Sequence, residues 1–319
     1  MRRITVLLAP LLVTILAVTA CGSGGSTGSS SSTTAKVTVT GTFGVKPTVK
    51  IPAKKAGSAL DISTVIPGKG PVLASKDAFV GNYVAYIWRG TTNKLASTTF
   101  ASAPALFAGN LLPGLAKAVA GAHVGSRVLA VIPPKDGYGS QGYAQNGVKP
   151  TDTLVFVIDI IKAYAGNTAA SGKQVSSGGG ALPSVTATAG AAPKITIPSG
   201  GKVPTTLTAK TLIQGTGAPV ASGQTVVVQY TGVIWRTGKV FDASWSRGYP
   251  FGFTIGASPA QVITGWEQGL LHKPVGSRVL LVIPPKDGYG SAGSSQAGIK
   301  GTDTLVFVVD ILGAFSGGK

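Results

Sequence analysis

The 319-residue chain has one cysteine, one methionine, two histidines and only ten acidic residues. A single cysteine excludes any disulfide within the chain, so stability must come from burial. His123 and His272 stand apart from one another, and no HExxH motif or His/Cys cluster exists. No metal or other cofactor is therefore expected. The chain also has no Gly-rich phosphate loop of the right form and no Gly-x-Ser-x-Gly elbow. With no cysteine nucleophile and no histidine recognisably paired to a carboxylate, covalent catalysis has no support. The 28 basic residues give a net charge of +18. They are scattered rather than clustered in runs, and no zinc-finger, helix-turn-helix or aromatic-basic RNA pattern accompanies them. The basic balance fits solubility or an anionic envelope, and no nucleic-acid partner is expected.

What is present starts at the N-terminus. "MRR" is followed by the apolar "ITVLLAPLLVTILAV", which is too short and too proline-broken for a typical spanning helix and the right length for a signal. It ends in "VTAC", small residues before Cys21. This resembles a bacterial lipobox, which implies a signal peptide over 1–20 and lipidation of Cys21. An ordinary secretory signal with an incidental cysteine is the alternative. Residues 21–35, from the cysteine through "GSGGSTGSSSSTTA", read as a flexible tether. Localisation is then extracytoplasmic, lipid-anchored to the cell membrane.

The rest of the chain is written twice. "VGSRVLAVIPPKDGYGSQG" at Val124 recurs as "VGSRVLLVIPPKDGYGSAG" at Val275, with changes only at Ala130/Leu281 and Gln141/Ala292. "TDTLVFVIDII" at Thr151 recurs at Thr302, and "NYVAYIWR" at Asn82 recurs as "QYTGVIWR" at Gln229. Near-constant offsets over so long a span indicate a duplicated domain rather than a solenoid. Copy one spans 36–165, copy two 193–319, and 166–192 reads as a linker.

Each copy reads as strands with one short helix. Alternation places Val226, Val228, Tyr230 and Ile234 on one face, as it does Val279, Leu281 and Ile283, and again Leu305, Phe307, Val309 and Ile311. "TGWEQGLLHK" is the only helical run, ended by Pro274. The result is an α+β layer arrangement. The recurring acids Asp136/Asp287, Asp152/Asp303 and Asp159/Asp310 read as turn or strand-edge groups. Copy two adds aromatics around Asp242, a carboxylate directly after Phe241, which a core would not choose without a partner.

The ordered motifs "VVVQYTGVIW", "TGKVFDAS", "RGYPFGFTIG", "QVITGWEQGL", "VGSRVLLVIPP", "YGSAG" and "TDTLVFVVDIL" resemble the FKBP-type peptidyl-prolyl cis-trans isomerases, across essentially all of copy two. The resemblance implies two tandem FKBP-like domains, each a five- or six-stranded antiparallel sheet wrapped around a short helix. It implies catalytic roles for Tyr230, Phe241, Asp242, Trp266, Tyr289 and Phe307, with Trp266 as the pocket floor. It implies substrate contacts at Arg247, Phe251, Val262, Ile263 and Ile299. The implied partners are proline-containing exported polypeptides, with rapamycin-type macrolides as inhibitors. A non-enzymatic peptide-binding module or chaperone of the envelope is the alternative. "GASPAQVI" is longer than the family's usual form, and Ser291–Gly301 lacks its usual proline pair. In copy one, Ala96, Ser97, Ala105 and Leu115 align with Phe241, Asp242, Phe251 and Trp266, and nothing aligns with Arg247. Copy one is therefore expected to fold and to isomerise weakly or not at all.

Overall fold

The structure is a computed structural model, which describes residues 36–200 and 202–317. The expected signal peptide, the expected lipidation site Cys21 and the expected tether lie outside the described residues. Among the described residues no helix is long and apolar enough to cross a membrane.

In the first domain a hairpin of β1 (Thr38–Thr40) and β2 (Thr48–Lys50) precedes β3 (Asp61–Ile66), β4 (Ala78–Arg89), β5 (Thr92–Thr98) and β6 (Ala105–Phe107). Helix α1 (Pro113–Val119), β7 (Arg127–Ile132) and β8 (Thr153–Tyr164) complete it. The sheet order is β3-β7-β8-β4-β5, with β6 also on β4, and every pairing is antiparallel.

The second domain repeats the plan. A hairpin of β10 (Ser184–Thr186) and β11 (Lys194–Thr196) precedes β12 (Thr208–Gln214), β13 (Thr225–Ile234), β14 (Val240–Ala243) and β15 (Phe251–Thr254). Helix α2 (Thr264–Leu270), β16 (Arg278–Ile283) and β17 (Leu305–Phe315) follow. Its sheet runs β12-β16-β17-β13-β14, with β15 on β13. Strand β9 (Lys173–Gln174) comes from the segment read as a linker and pairs with β12. It makes this sheet seven-stranded.

The alternating faces fall as the pattern predicts. Val226, Val228, Tyr230, Ile234, Val279, Leu281, Ile283, Leu305, Phe307, Val309 and Ile311 share one core with Trp266 and Leu270 of α2. The helix is shorter than the sequence suggests. It ends at Leu270, and His272 takes a left-handed φ of 63° while donating its N–H to the Val220 carbonyl. Gly121 makes the corresponding turn after α1 with a φ of 73°.

The opposite face of each sheet is also buried. In the second domain Val185 and Ile195 of the hairpin pack on Trp235, Leu280, Val282, Val306 and Val308. In the first, Val39 and Val49 pack beside Val37, Trp88, Leu129, Val131, Val155 and Val157. Residues 166–192 are therefore in part a folded cover and not only a connection: a three-residue strand with one inward valine gains its stability from the sheet beneath it.

Two of the paired acids also depart from expectation. Asp159 and Asp310 lie inside β8 and β17, buried in bidentate pairs with Arg127 and Arg278 at 2.6 and 2.7 Å. A charge inside a sheet persists only when paired and hydrogen-bonded, and the recurring arginine of "VGSR" supplies that partner.

The two domains meet through equivalent surfaces. Val80, Ile161, Tyr164 and Leu106 of the first pack with Val227, Leu312 and Phe315 of the second in one cluster. Strand register makes Val80 equivalent to Val227 and Leu106 equivalent to Gly252. Gly252 lies under Leu106 so closely that a Cβ there would sit 2.8 Å from the leucine Cβ. A Cβ on Gly313 would sit 2.1 Å from the Tyr164 hydroxyl oxygen. Thr225 Oγ1 donates across the junction to the Pro104 carbonyl at 2.6 Å.

Candidate functional site

Nine of the eleven implied pocket residues line one cavity of about 380 Å³ in the second domain: Tyr230, Phe241, Asp242, Phe251, Val262, Ile263, Trp266, Tyr289 and Phe307. Each wall has a structural source. Tyr230 and Phe307 project from neighbouring strands β13 and β17, two positions along the ladder from one another. Phe241 and Asp242 stand on the short edge strand β14, where a register shift at Gly232/Val233 leaves Phe241 without a ladder partner and lets both residues line the one cavity. Val262 and Ile263 enter α2, and Ile263 caps it by accepting the Trp266 N–H at 2.9 Å.

Trp266 is 4% exposed. Its ring meets Tyr230 at 5.1 Å and 83°, Phe307 at 5.3 Å and 87°, Phe253 at 5.7 Å and 62°, and Phe251 at 6.3 Å and 76°. Edge-to-face contacts of this kind place the positive edge of one ring on the negative face of another and fix the floor rigidly. Gly265, one residue before Trp266, packs against Ile283, which brings α2 down onto the sheet.

One side of the cavity is polar. The Tyr230 hydroxyl donates to Asp242 Oδ2. Arg247 donates to Asp242 Oδ1 at 2.6 Å and to the Tyr230 oxygen at 2.8 Å, with its guanidinium 5.5 Å from the tyrosine ring. Burial, reinforced by the Asp242 carboxylate, pushes the Tyr230 hydroxyl up to about 12. Burial also raises Tyr289, which is otherwise 42% exposed at the rim. The carboxylate after Phe241 thus has its partner, and the pair is held by a third group.

Two implied contacts lie off the wall. Arg247 stands behind Asp242 as its anchor. Ile299 is buried in the core with Trp266, beneath the cavity. Ala260 and Gln261 do line the cavity, and sequence reasoning passed over them. They belong to the long "GASPAQVI" segment, whose extra length was the available signal. Gln261 is fixed by accepting the Thr254 N–H at 2.8 Å.

The Tyr230 backbone is held from the segment that follows the first domain. Its N–H donates to Ser244 Oγ at 2.8 Å, Ser244 Oγ donates to Gln229 Oε1, and Gln229 Nε2 donates at 2.7 Å to the carbonyl of Gly166, just beyond β8.

The first domain keeps the frame and lacks the floor. Strand pairing sets Ser97 opposite Ala85 as Asp242 is set opposite Gly232, so Ala96 and Ser97 do occupy the places of Phe241 and Asp242. Tyr83 reaches Ser97 Oγ at 2.9 Å in place of the Tyr230–Asp242 bond. Leu115, 4% exposed, stands for Trp266. Phe79 stands where Val226 does and stacks on Phe107 at 4.6 Å and 5°, returning aromatic volume to the core from the other side.

These features define a class: a small sheet-and-helix domain whose apolar pocket has an aromatic floor and one hydrogen-bonded acid, with no serine, cysteine or histidine among the residues that line it. The sequence matches the family of FKBP-type peptidyl-prolyl cis-trans isomerases over residues 75–161 and 217–312. An FK506-binding protein of Streptomyces anulatus is 44% identical over 113 residues, 35% of this chain and 90% of that protein. A probable FK506-binding protein of Corynebacterium glutamicum is 39% identical over 114 residues, 36% of this chain and 92% of that protein. FK506-binding protein 2B of Rhizopus delemar is 50% identical over 91 residues, 28% of this chain and 42% of that protein. The chain belongs to the FKBP-type peptidyl-prolyl cis-trans isomerase family and carries its domain twice.

Proposed function

We propose that the second domain isomerises X–Pro bonds of exported polypeptides at the outer face of the cytoplasmic membrane, where the chain is held by lipid on Cys21. The observation that carries the catalytic part is the Trp266-floored cavity with its single polar side. Amide resonance sets a barrier of about 18–20 kcal/mol, and rotation needs no bond to break. An enzyme for this step needs only to bind the twisted amide better than either planar form. In this reading the prolyl ring sits on Trp266 between Tyr230, Phe251 and Phe307. The Ile263 N–H and the Tyr289 hydroxyl take substrate carbonyls. The Asp242 carboxylate, fixed by Arg247 and Tyr230, faces the amide as its C–N bond loses double-bond character. Val262 and Phe241 exclude water. Rapamycin-type macrolides compete for the same apolar volume.

The first domain, with Leu115, Ala96 and Ser97, is the weak or inactive partner. Protease-coupled isomerisation of an apolar-X–Pro peptide by the full chain tests both halves of the proposal. Trp266→Leu, which installs the first domain's residue, is expected to lower the rate at least ~100-fold, roughly 2.8 kcal/mol of transition-state stabilisation. A folded Trp266→Leu chain that keeps its rate would move catalysis elsewhere. A wild-type chain that binds macrolide without isomerising would make the protein a peptide-binding module.

A further inference from the structure

The two covering hairpins are equivalent in register, yet their tips differ. The first turns through Gly41-Thr42-Phe43-Gly44-Val45-Lys46, with Phe43 36% and Val45 51% exposed. The second has Ala189 and Ala191 at those two positions and Ala192 in the place of Lys46. Phe43 and Val45 do not face water because the turn is loose. The buried Arg127–Asp159 pair grips its backbone at three points. Asp159 accepts the Gly44 N–H at 2.7 Å, and Arg127 donates to the Gly41 and Val45 carbonyls at 3.2 and 2.7 Å. The matching pair in the second domain, Arg278–Asp310, takes the Ala170 N–H instead. One tip is thus locked with two apolar side chains outside, an arrangement with no folding advantage of its own.

Apart from the buried, arginine-paired Asp159, the charge of the hairpin segment has one sign. Residues 36–60 contain no Asp or Glu, and Lys36, Lys46, Lys50, Lys54 and Lys55 are all exposed. None of them is in an ion pair, whereas every arginine among the described residues is. Thr38 and Thr48, which flank inward Val39 and Val49, share the outward face with Lys50.

We propose that this tip docks on an anionic lipid bilayer, with Phe43 and Val45 entering the headgroup layer and the surrounding lysines on the phosphate plane. Apolar insertion and lysine attraction reinforce one another at such a surface. A soluble polyanion gains nothing from Phe43 or Val45, which is why the bilayer is the better fit. Lys36 lies two residues before β1 and seven before Phe43, which keeps it within ~23 Å of the tip. Whatever holds the N-terminal segment at a membrane therefore delivers the tip to it. The inference deepens the membrane-facing reading above, but the docking itself needs no lipid on Cys21.

Residues 34–319 form a compact unit that contains every core described here. That unit is mixed with sedimentable vesicles of phosphatidylcholine alone or with a third phosphatidylglycerol, at physiological salt. Binding is expected to the mixed vesicles and to be at least ~10-fold weaker on phosphatidylcholine. Phe43→Ser with Val45→Ser is expected to weaken it at least ~10-fold, and Lys46→Glu with Lys50→Glu to do the same. All of these variants are expected to keep the wild-type near-UV circular dichroism and urea midpoint, which shows that the first domain is folded. No binding to the mixed vesicles, equal binding to both kinds, or binding indifferent to Phe43 and Val45 would overturn the docking site. So would soluble polyphosphate binding as tightly as vesicles do. Lipid mass on Cys21 in cells tests anchoring separately, so either reading can fail alone.

Discussion

In the second domain Trp266 is ringed by Tyr230, Phe251, Phe253 and Phe307. In the first, Leu115 takes the same helical position and Phe107 stacks on Phe79 instead. The ladders on which these residues stand pair in the same register, down to the hydroxyl of Thr99 or Ser244 that receives the Tyr83 or Tyr230 N–H at 2.9 or 2.8 Å. A sheet of this kind holds its shape through backbone pairing and its two buried faces. The residues that give the pocket its chemistry sit on an edge strand and at the helix entry, where replacement leaves the ladder intact. Core volume lost at one place was regained at another, which is how a domain can lose a site without losing its packing.

The largest expected effect comes from breaking the shared frame. A fragment beginning at residue 193 starts within the hairpin of the second domain, whereas one beginning at 167 retains β9, β10 and β11. The shorter fragment uncovers Leu280, Val282, Val306 and Val308. With β11 still present the four are only partly exposed, and the fragment is expected to be less stable in urea by on the order of 3–6 kcal/mol, the equivalent of two side chains fully uncovered at roughly 1.5–3 kcal/mol each. Equal midpoints would show that the hairpin is an ornament. A smaller effect sharpens the difference between the pockets. Leu115→Trp alone overfills the first core and is expected to cost about 1–3 kcal/mol, and adding Phe79→Val should recover most of it. Additive losses in the double variant would mean that Phe79 is not the compensating residue.

The smallest effect is in pH. Tyr230 titrates near 12 in the folded chain against an ordinary value of 10.0. Folding therefore favours its protonated form, a contribution fully present below pH 10 and lost as pH rises toward 12. The 295 nm difference between wild type and Tyr230→Phe should show ionisation well above 10. A midpoint near 10 would place the hydroxyl in water and sever it from Asp242.

Much of this was legible from residue order alone. Period-two alternation assigned Val226, Val228, Tyr230 and Ile234 to one face, and aligning the segments after the repeated "WR" placed Ala96 and Ser97 against Phe241 and Asp242. Both depend on local backbone geometry. The outer covers were not legible, because "SVT" and "KIT" are too short to show a period and most of the sheet residues they cover lie far along the chain. Asp159 and Asp310 were misread for a related reason: a carboxylate in a strand looks like an edge group until its arginine, 32 residues away, is brought beside it. Phe79 was overlooked since compensation is a property of a filled volume and not of any one position.

The junction between the domains has a further consequence. Leu106 on one side fits over Gly252 on the other, and these are the same position in the two copies. Two first domains joined in this way would set leucine against leucine, and two second domains would leave a hole. Tyr164 over Gly313 adds to this, because the first domain has Lys162 where Gly313 stands, and two first domains would set Tyr164 against that lysine. What began as surfaces that could recognise their own kind now recognises only the other kind. Neighbouring chains that carry the same four residues can exchange partners in whole pairs, but neither half matches itself.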